Sequence, residues 1–448
     1  MSHIRFRYLS PPYTALTVLL CSVLLLNVNP TSAYSEVLLQ EKTLDYYGIN
    51  PEDLPDIEQG AAVIMDDQAN LIFSQNAHER RSVASLTKIM TAMVAIQHAP
   101  MDLQITTSER AATVGESTAN LQYGDVLTLE HALYGLLMNS GNDCAIAIAE
   151  CVGRYINDTS LQNEEINDEQ AFDLFVSKMN ETAQALGCDN TYFANPHGLD
   201  YDEHDEGQYC TAYDIGLMTK SAMEIELFRT IVSTVEREIP VYANGTEEYS
   251  CPLENGNKLL SEGMQGANGV KTGYTDAALS CLSSSAQRDG REFYAIALGV
   301  DPGLMAKEEC EEMLEWAFAN VSLCETQTTK FYIEDIPVYA SVSAQDWLNE
   351  SVYATVDTQM SPLNYLPVLG EVESAVSFSN LNGAILKGEK VGEITFSQND
   401  NVIHKANLVS MENLAKPSFF QSSWIEIQRA LNQSKSSNEF APNILYNL

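Results

Sequence analysis

Three short motifs follow one another along the chain and carry side chains that could attack a peptide carbonyl. Ser85-Leu86-Thr87-Lys88 offers a hydroxyl nucleophile and an amine, Ser140-Gly141-Asn142 a second hydroxyl and a carboxamide, and Lys271-Thr272-Gly273 a cation that could hold a carboxylate. Ser-x-Asn recurs at three other places, whereas Ser-x-x-Lys and Lys-Thr-Gly each occur once. Their order and wide spacing predict serine acyl-transfer chemistry that a fold must assemble.

The first motif is predicted to begin a helix that runs from Ser85 to about His98. Apolar residues cover so much of this helix that we expect it to be buried. Lys88 would face Ser85 one turn on, and it could take the serine proton only if burial or a cationic neighbour lowered its pKa. Lys271 is the candidate neighbour. The alternative is that Ser85 is a helix N-cap and that Lys88 is exposed.

The second motif lies between two predicted helices, at 129–138 and 143–155. Here Ser140 could pass a proton to a leaving amine, and Asn142 could hold a substrate amide. A capped turn between helices explains the same sequence.

The third motif ends a predicted strand, 267–275, whose partner we expect at 293–300 after the turn at 288–290. A peptide could lie beside this strand while Lys271 and Thr272 bind its terminal carboxylate, and Gly273 would allow a close approach. The alternative is a strand end with one exposed lysine.

The 448 residues suggest more than one domain, after a leader at 1–33 with the basic, apolar and small-residue regions of a signal peptide. Mixed helices and strands predict a catalytic domain at 34–325, which opens on a hairpin at 61–74. Short β-type runs predict a small all-β domain at 326–412, including a strand pair at 393–409. A terminal amphipathic helix and tail occupy 413–448.

The chain is strongly acidic, with 24 basic and 62 acidic residues. Cleavage would remove Arg5 and Arg7, giving 22 − 62 = −40, which argues against nucleic acid as a partner. We expect no metal site, because the histidines never fall in ligand spacing, and His197 and His204 read as surface residues.

The pairing of the cysteines cannot be deduced. A bridge between Cys144 and Cys151 is implausible, because about 10 Å of helical rise separates them.

Residues 60–300 resemble the catalytic domain of the low-molecular-mass penicillin-binding proteins, the serine-type D-alanyl-D-alanine carboxypeptidases. The resemblance covers five segments in family order, at 84–92, 139–143, 195–199, 211–214 and 269–275. It implies an α/β (α+β) penicillin-binding/β-lactamase-like transpeptidase fold with an antiparallel sheet and a helical subdomain. The β-rich region resembles the family's C-terminal domain.

Residue by residue, the resemblance implies a role for each motif. Ser85 would form the acyl-enzyme, Lys88 would be the general base, and Ser140 would shuttle protons. Substrate would contact Asn142, Lys271, Thr272, Gly273 and Tyr274. The backbone N–H groups of Ser85 and Tyr274 would form the oxyanion hole.

Two departures from the family pattern put substrate fit and loop geometry in doubt. Gln208-Tyr209-Cys210 stands where the family often has His-x-Ser, after an acidic insertion at 200–206. Asp276-Ala277-Ala278-Leu279 replaces an expected Glu-Ala-Gly turn.

Near the C-terminus, Phe420, Trp424, Ile427 and Leu431 recur at helical spacing. In the family this place holds a membrane anchor, which predicts peripheral membrane association. The alternative is a helix that packs this stripe onto the β domain.

The sequence thus predicts an exported serine DD-carboxypeptidase that needs no cofactor. It would act outside the cytoplasmic membrane on peptidoglycan stem peptides, with β-lactams as covalent inhibitors and a role in cell-wall biogenesis and cell shape. One alternative is a β-lactamase-like hydrolase, although no convincing Glu-x-x-x-Asn loop precedes Lys271. The other is a non-catalytic peptidoglycan-binding protein of the same fold.

Overall fold

The computed structural model describes residues 37–39, 42–43, 50–57, 60–160, 165–200, 207–302, 305–323, 331–357, 365–367, 372–398, 401–433 and 443–445. The predicted leader at 1–33, His204 and nearly all of the acidic insertion lie outside this set.

The described strands up to residue 302 form two antiparallel sheets. They are β1 (Val37–Leu39), β2 (Lys42–Thr43), β3 (Ala61–Asp66), β4 (Leu71–Gln75), β5 (Gln104–Thr106), β6 (Val126–Thr128), β7 (Glu236–Ala243), β8 (Glu247–Glu254), β9 (Ala267–Thr275), β10 (Leu279–Arg288) and β11 (Arg291–Val300). One sheet has the order β2-β1-β4-β3-β11-β10-β9 and the other β5-β6-β7-β8. The predicted opening hairpin is confirmed, since β3 pairs with β4.

The predicted partner of the third-motif strand is wrong. β9 has the predicted bounds, but it pairs with β10, and β10 pairs with β11 across the turn at 288–290. The sequence did not predict β10, because its run of serines is polar and yet buried. The hydroxyls find partners inside the protein: Ser284 Oγ donates to Ala295 O, and Ser285 Oγ to Glu292 Oε1. The extra strand leaves β9 at the edge of the sheet that the described residues form.

Helices cover both faces of the larger sheet. They are α1 (Thr87–His98), α2 (Glu109–Ala112), α3 (Leu129–Leu137), α4 (Asn142–Thr159), α5 (Asp168–Ala185), α6 (Ala212–Met223), α7 (Glu226–Ser233), α8 (Lys258–Ser261) and α9 (Ala306–Asn320). Alternate residues of β3 separate the two cores, with Val63 and Met65 facing the cluster around α1, and Ala62 and Ile64 facing the cluster that holds α9. As predicted, α1 is central, since each of its first nine residues is buried.

Beyond α9, the described strands build a smaller β region. They are β12 (Val321–Leu323), β13 (Tyr332–Ile333), β14 (Ile336–Pro337), β15 (Ala340–Ser343), β16 (Ser351–Val356), β17 (Tyr365–Pro367), β18 (Val372–Phe378), β19 (Lys390–Gln398), β20 (Asn401–Ser410) and β21 (Ile444–Leu445). Its main sheet has the order β18-β19-β20-β16-β15-β21. The predicted strand pair is confirmed as β19 and β20, whereas the domain boundaries remain predictions.

The terminal helix α10 (Phe419–Gln433) presents its predicted apolar stripe to solvent. Phe420 is 85% exposed, Trp424 60%, Ile427 51% and Leu431 62%. The alternative that this stripe packs onto the β region is therefore wrong, and Ile425 is the side chain that α10 buries. No helix in the described part of the chain is long and apolar enough to span a membrane.

Gly153 sets the distance between α4 and α5, and this contact yields a stability prediction. A Cβ at position 153 would lie 2.0 Å from Ala171 O, so the helices would have to separate. We expect Gly153→Ala to lower the free energy of unfolding by about 1–3 kcal/mol, the usual cost of overpacking. The exposed Gln184→Ala in α5 is the control and should change it by less than about 0.5 kcal/mol. Equal denaturant midpoints for the two variants would contradict this packing.

Candidate active site

Ser85 lies in a 3-10 turn, Ala84–Leu86, immediately before α1. The α-helix therefore begins at Thr87, two residues later than predicted, because Ser85 and Leu86 belong to the 3-10 turn, which Ala84 enters with a φ of 46°. Lys88 is in the first turn of α1, and its Nζ lies 2.8 Å from Ser85 Oγ. The alternative of an exposed Lys88 is wrong, since this side chain is completely buried.

The other two partners of Lys88 fix the direction of its amine. Nζ lies 2.7 Å from Asn142 Oδ1 and 2.8 Å from His197 O. Asn142 Nδ2 donates to Gly115 O at 3.1 Å, which turns the amide oxygen toward the lysine. Both oxygens can only accept, so a neutral amine would give them its two N–H groups. Its lone pair would then point at the Ser85 hydroxyl.

Burial and a neighbouring cation favour that neutral form. Burial is the larger cause that lowers the pKa of Lys88 well below its usual value, and the positive charge of Lys271 lowers it further. Lys271 is itself buried, which lowers its pKa to about 7, and its Nζ donates to Thr272 O at 2.7 Å. Lys271 is thus the cationic neighbour that the sequence suggested.

The second motif forms the junction between α3 and α4, as predicted. Ser140 has a φ of 57°, and Gly141 N donates to Gly135 O, which closes a tight turn before Asn142 begins α4. Sequence reasoning missed Asp143, whose carboxylate accepts hydrogen bonds from Ala119 N and Leu121 N and so holds the neighbouring loop. Its place beside the motif, within the family-like segment 139–143, was the available signal.

The third motif forms one wall of a cleft of about 720 Å³. Six of the predicted site residues line this cleft: Ser85, Ser140, Asn142, Thr272, Gly273 and Tyr274. The remaining two, Lys88 and Lys271, are buried beneath it. A Cβ at Gly273 would lie 3.1 Å from Val83 O and 3.2 Å from Ser85 N, so the absence of a side chain lets β9 approach Ser85.

The expectation that His197 is a surface residue is wrong. Its carbonyl binds Lys88, its Nδ1 accepts from Leu199 N at 3.1 Å, and burial is the main cause that lowers its pKa to about 3. The segment 195–199 was one of the family-like segments, and that was the available signal.

Of the two departures from the family pattern, the second lines the cleft and the first packs inside the domain. Gln208 is buried, and its Nε2 donates to Thr87 Oγ1 at 3.1 Å. Cys210 Sγ contacts Thr191 Oγ1 at 2.9 Å. Asp276 and Ala277 line the cleft itself.

Cys144 and Cys151 are both free thiols.

A family model described as D-alanyl-D-alanine carboxypeptidase, Peptidase_S11, matches residues 49–302, more than half of the chain. The chain belongs to this family. The match confirms the predicted enzyme class, a serine-type D-alanyl-D-alanine carboxypeptidase, and favours it over a β-lactamase-like hydrolase.

Individual relatives extend the similarity beyond the catalytic part of this carboxypeptidase. The chain is 28% identical over 382 residues to D-alanyl-D-alanine carboxypeptidase DacF of Bacillus subtilis, and the match covers 83% of this chain and 90% of the relative. It is 26% identical over 386 residues to DacD of Escherichia coli, covering 82% and 89%.

Solved structures confirm the predicted fold class. The Streptomyces K15 DD-transpeptidase, 28% identical, matches 59% of this chain and 99% of its own with a TM-score of 0.53. The D-alanyl-D-alanine carboxypeptidase DacD from Francisella tularensis, 26% identical, matches 82% and 96% with a TM-score of 0.60.

The buried Lys271 amine predicts a pH dependence of stability. Its pKa is about 7 in the folded state and 10.5 when exposed, so the unfolded chain binds more protons between these values. Relative to Lys271→Met, the wild-type free energy of unfolding should therefore rise by up to about 1 kcal/mol per pH unit between pH 7 and 9. Denaturant titrations at several pH values measure this difference.

The control for that prediction is Lys258→Met, which removes an exposed cation of the same cleft. This variant should keep the wild-type slope. Parallel curves for wild type and Lys271→Met would show that the Lys271 amine keeps the same pKa on folding.

Proposed function

We propose that this carboxypeptidase removes the terminal D-alanine from peptidoglycan stem pentapeptides through an acyl-enzyme on Ser85. The observation that carries the proposal is the 2.8 Å contact between Lys88 Nζ and Ser85 Oγ at the floor of the cleft. A buried amine whose other partners are both acceptors is arranged to take a proton from that hydroxyl. The intact set of hydroxyls and amines argues against the non-catalytic alternative.

In the acylation step, Ser85 Oγ attacks the carbonyl carbon of the penultimate D-alanine as its proton passes to Lys88 Nζ. The tetrahedral oxyanion receives hydrogen bonds from the backbone N–H groups of Ser85 and Tyr274. Ser140 then gives its hydroxyl proton to the leaving nitrogen and recovers one from the Lys88 ammonium, so that the C–N bond breaks, D-alanine departs and Lys88 becomes neutral again. Peptide and serine remain joined as an ester.

In the deacylation step, water attacks that ester. The neutral Lys88 amine accepts a proton from the water, the bond to Ser85 Oγ breaks, and the serine recovers its proton. The products are the shortened peptide with a new terminal carboxylate and the free enzyme. Lys88 and Ser140 carry the protons in this scheme, and the backbone N–H groups stabilise the oxyanion.

Substrate would bind as an added strand along β9, which is an edge strand in the described sheet. Thr272 would offer its hydroxyl to the terminal carboxylate, while the positive charge of Lys271 lies behind the wall. Asn142 would orient the peptide amide from the opposite wall. β-Lactams present the same carbonyl and carboxylate, so they would acylate Ser85 and leave a slowly hydrolysed ester.

The nucleophile can be tested with diacetyl-L-Lys-D-Ala-D-Ala. We expect Ser85→Ala to lower D-alanine release by at least about a thousandfold, because loss of the nucleophile leaves only binding and electrostatic contributions. The same variant should lose covalent labelling by fluorescent penicillin. Ser117→Ala removes another hydroxyl that lines the cleft and should retain activity.

Undiminished D-alanine release by Ser85→Ala would overturn the mechanism. Penicillin turnover by the wild type distinguishes the remaining alternative, since fast turnover would support a β-lactamase-like hydrolase and very slow turnover the carboxypeptidase.

The proposed setting is the extracytoplasmic side of the cell membrane or the cell wall. The composition of residues 1–33 supports export by a signal peptide. Within the mature chain, the catalytic domain would span 34–325, and the β-rich domain at 326–412 would set its height above the membrane. The exposed stripe of α10 supports peripheral membrane attachment through residues 413–448.

Attachment through α10 can be tested by removing its aromatic side chains. Because burial of apolar area drives interfacial binding, Phe420→Ser with Trp424→Ser should lower co-sedimentation with phosphatidylglycerol-containing vesicles by at least about tenfold. Gln421→Ser with Gln428→Ser, on the same helix, is the control. Deletion from Lys416 onward should release the protein from cell membranes. Retention of the deleted protein there would show that α10 is not the anchor.

A further inference from the structure

Asp200 joins the two segments that carry the proposed oxyanion hole. Its Oδ1 accepts the Ser82 hydroxyl at 2.6 Å, and its Oδ2 accepts the Thr275 hydroxyl at 2.6 Å. Ser82 lies three residues before Ser85, and Thr275 directly follows Tyr274. One carboxylate therefore bridges the segment before α1 and the end of β9.

The two bridged segments touch without any side chain between them at Gly273. An added Cβ there would contact Val83 O and Ser85 N within 3.2 Å. No side chain at this position can therefore act as a spacer between the nucleophile and β9. The Asp200 bridge lies two residues farther along β9, beyond Tyr274.

Asp200 is itself held by a short strap, which we define as residues 195–200. The Asn195 carboxamide bonds the backbone of residues 197–199, accepting from two N–H groups and donating to one carbonyl. Thr91 Oγ1 donates to Pro196 O at 2.6 Å, which ties the strap to α1. The bridge therefore extends from a fixed support on the same helix that carries Lys88.

We propose that Asp200 is a positioning residue that fixes the distance between the backbone N–H groups of Ser85 and Tyr274. This inference rests on the proposed function. Hydrogen bonds from hydroxyls to a carboxylate are short and strong, so they hold geometry well. Oxyanion donors act only within about 2.7–3.1 Å of the developing charge, and a displacement of about 1 Å costs roughly a hundredfold in rate.

The test compares three variants of the full chain. Asp200→Ala removes the bridge and should lower kcat/KM for D-alanine release by about tenfold to a hundredfold. Asp200→Asn can accept from one hydroxyl and donate to the other oxygen, so it should retain activity within about threefold of wild type. Asp173→Ala, which removes an exposed acidic side chain of α5 outside the cleft lining, is the control for charge and should match wild type.

A second readout isolates the oxyanion hole. An acylated boronic acid analogue of D-alanine forms a tetrahedral adduct on serine and places an oxygen among the donors. Its affinity should fall in Asp200→Ala by about the same factor as kcat/KM, since both report stabilisation of a tetrahedral oxygen. The thermal unfolding midpoint is measured alongside to confirm that the variant is folded.

Ser82→Ala supplies an independent break in the bridge, should Asp200→Ala fail to fold. It should lower activity in the same direction, and in a folded Asp200→Ala background it should add little, because the two residues share one interaction. Wild-type kcat/KM in Asp200→Ala or Ser82→Ala would overturn the positioning role, as would lost activity with unchanged boronate affinity. Full activity in Ser85→Ala would instead overturn the proposed function itself, so the two failures are distinguishable.

Discussion

The rest of the catalytic architecture depends on one contact, the Lys88 amine against the Ser85 hydroxyl. A lysine amine in water is protonated near neutral pH and therefore cannot accept a proton, and it can act as a base there only when burial makes the charged form costly. A lysine can be buried without a large loss of stability only if its remaining N–H groups have acceptors. Asn142 and His197 supply them from two separate elements, which must therefore be brought to α1.

This requirement explains why α1 lies at the centre of the molecule instead of on its surface. Its apolar side chains pack against helices and against one face of the larger sheet, and α9 covers the other face. The sheet also brings β9 to the opening turn of α1, where Gly273 touches Ser85 N. Desolvation of the proposed base, access of the proposed substrate strand to β9 and placement of the proposed oxyanion donors are therefore consequences of one packing arrangement.

The sequence predicted the parts of the site that depend on local spacing. Ser85 and Lys88 share a face because three residues make about one helical turn, and β9 has the predicted bounds because its pattern is typical of a strand. The pairing of β9 was not predictable from periodicity, since β10 buries serines whose partners lie on other strands. His197 was missed because its contribution is a backbone carbonyl, and every residue type has one.

Among the described strands β9 has one unpaired edge, which is both the proposed substrate site and a hazard. An unpaired edge strand can join another chain as readily as it can accept a substrate. Lys271 is buried, so its charge does not repel a second chain from this edge. The residues of the third motif region that face the cleft are Thr272, Gly273 and Tyr274. The excess of 62 acidic over 24 basic residues offers a different protection, because two copies of the chain repel one another over the whole surface. The acidic composition thus favours an edge that stays free for the proposed substrate strand.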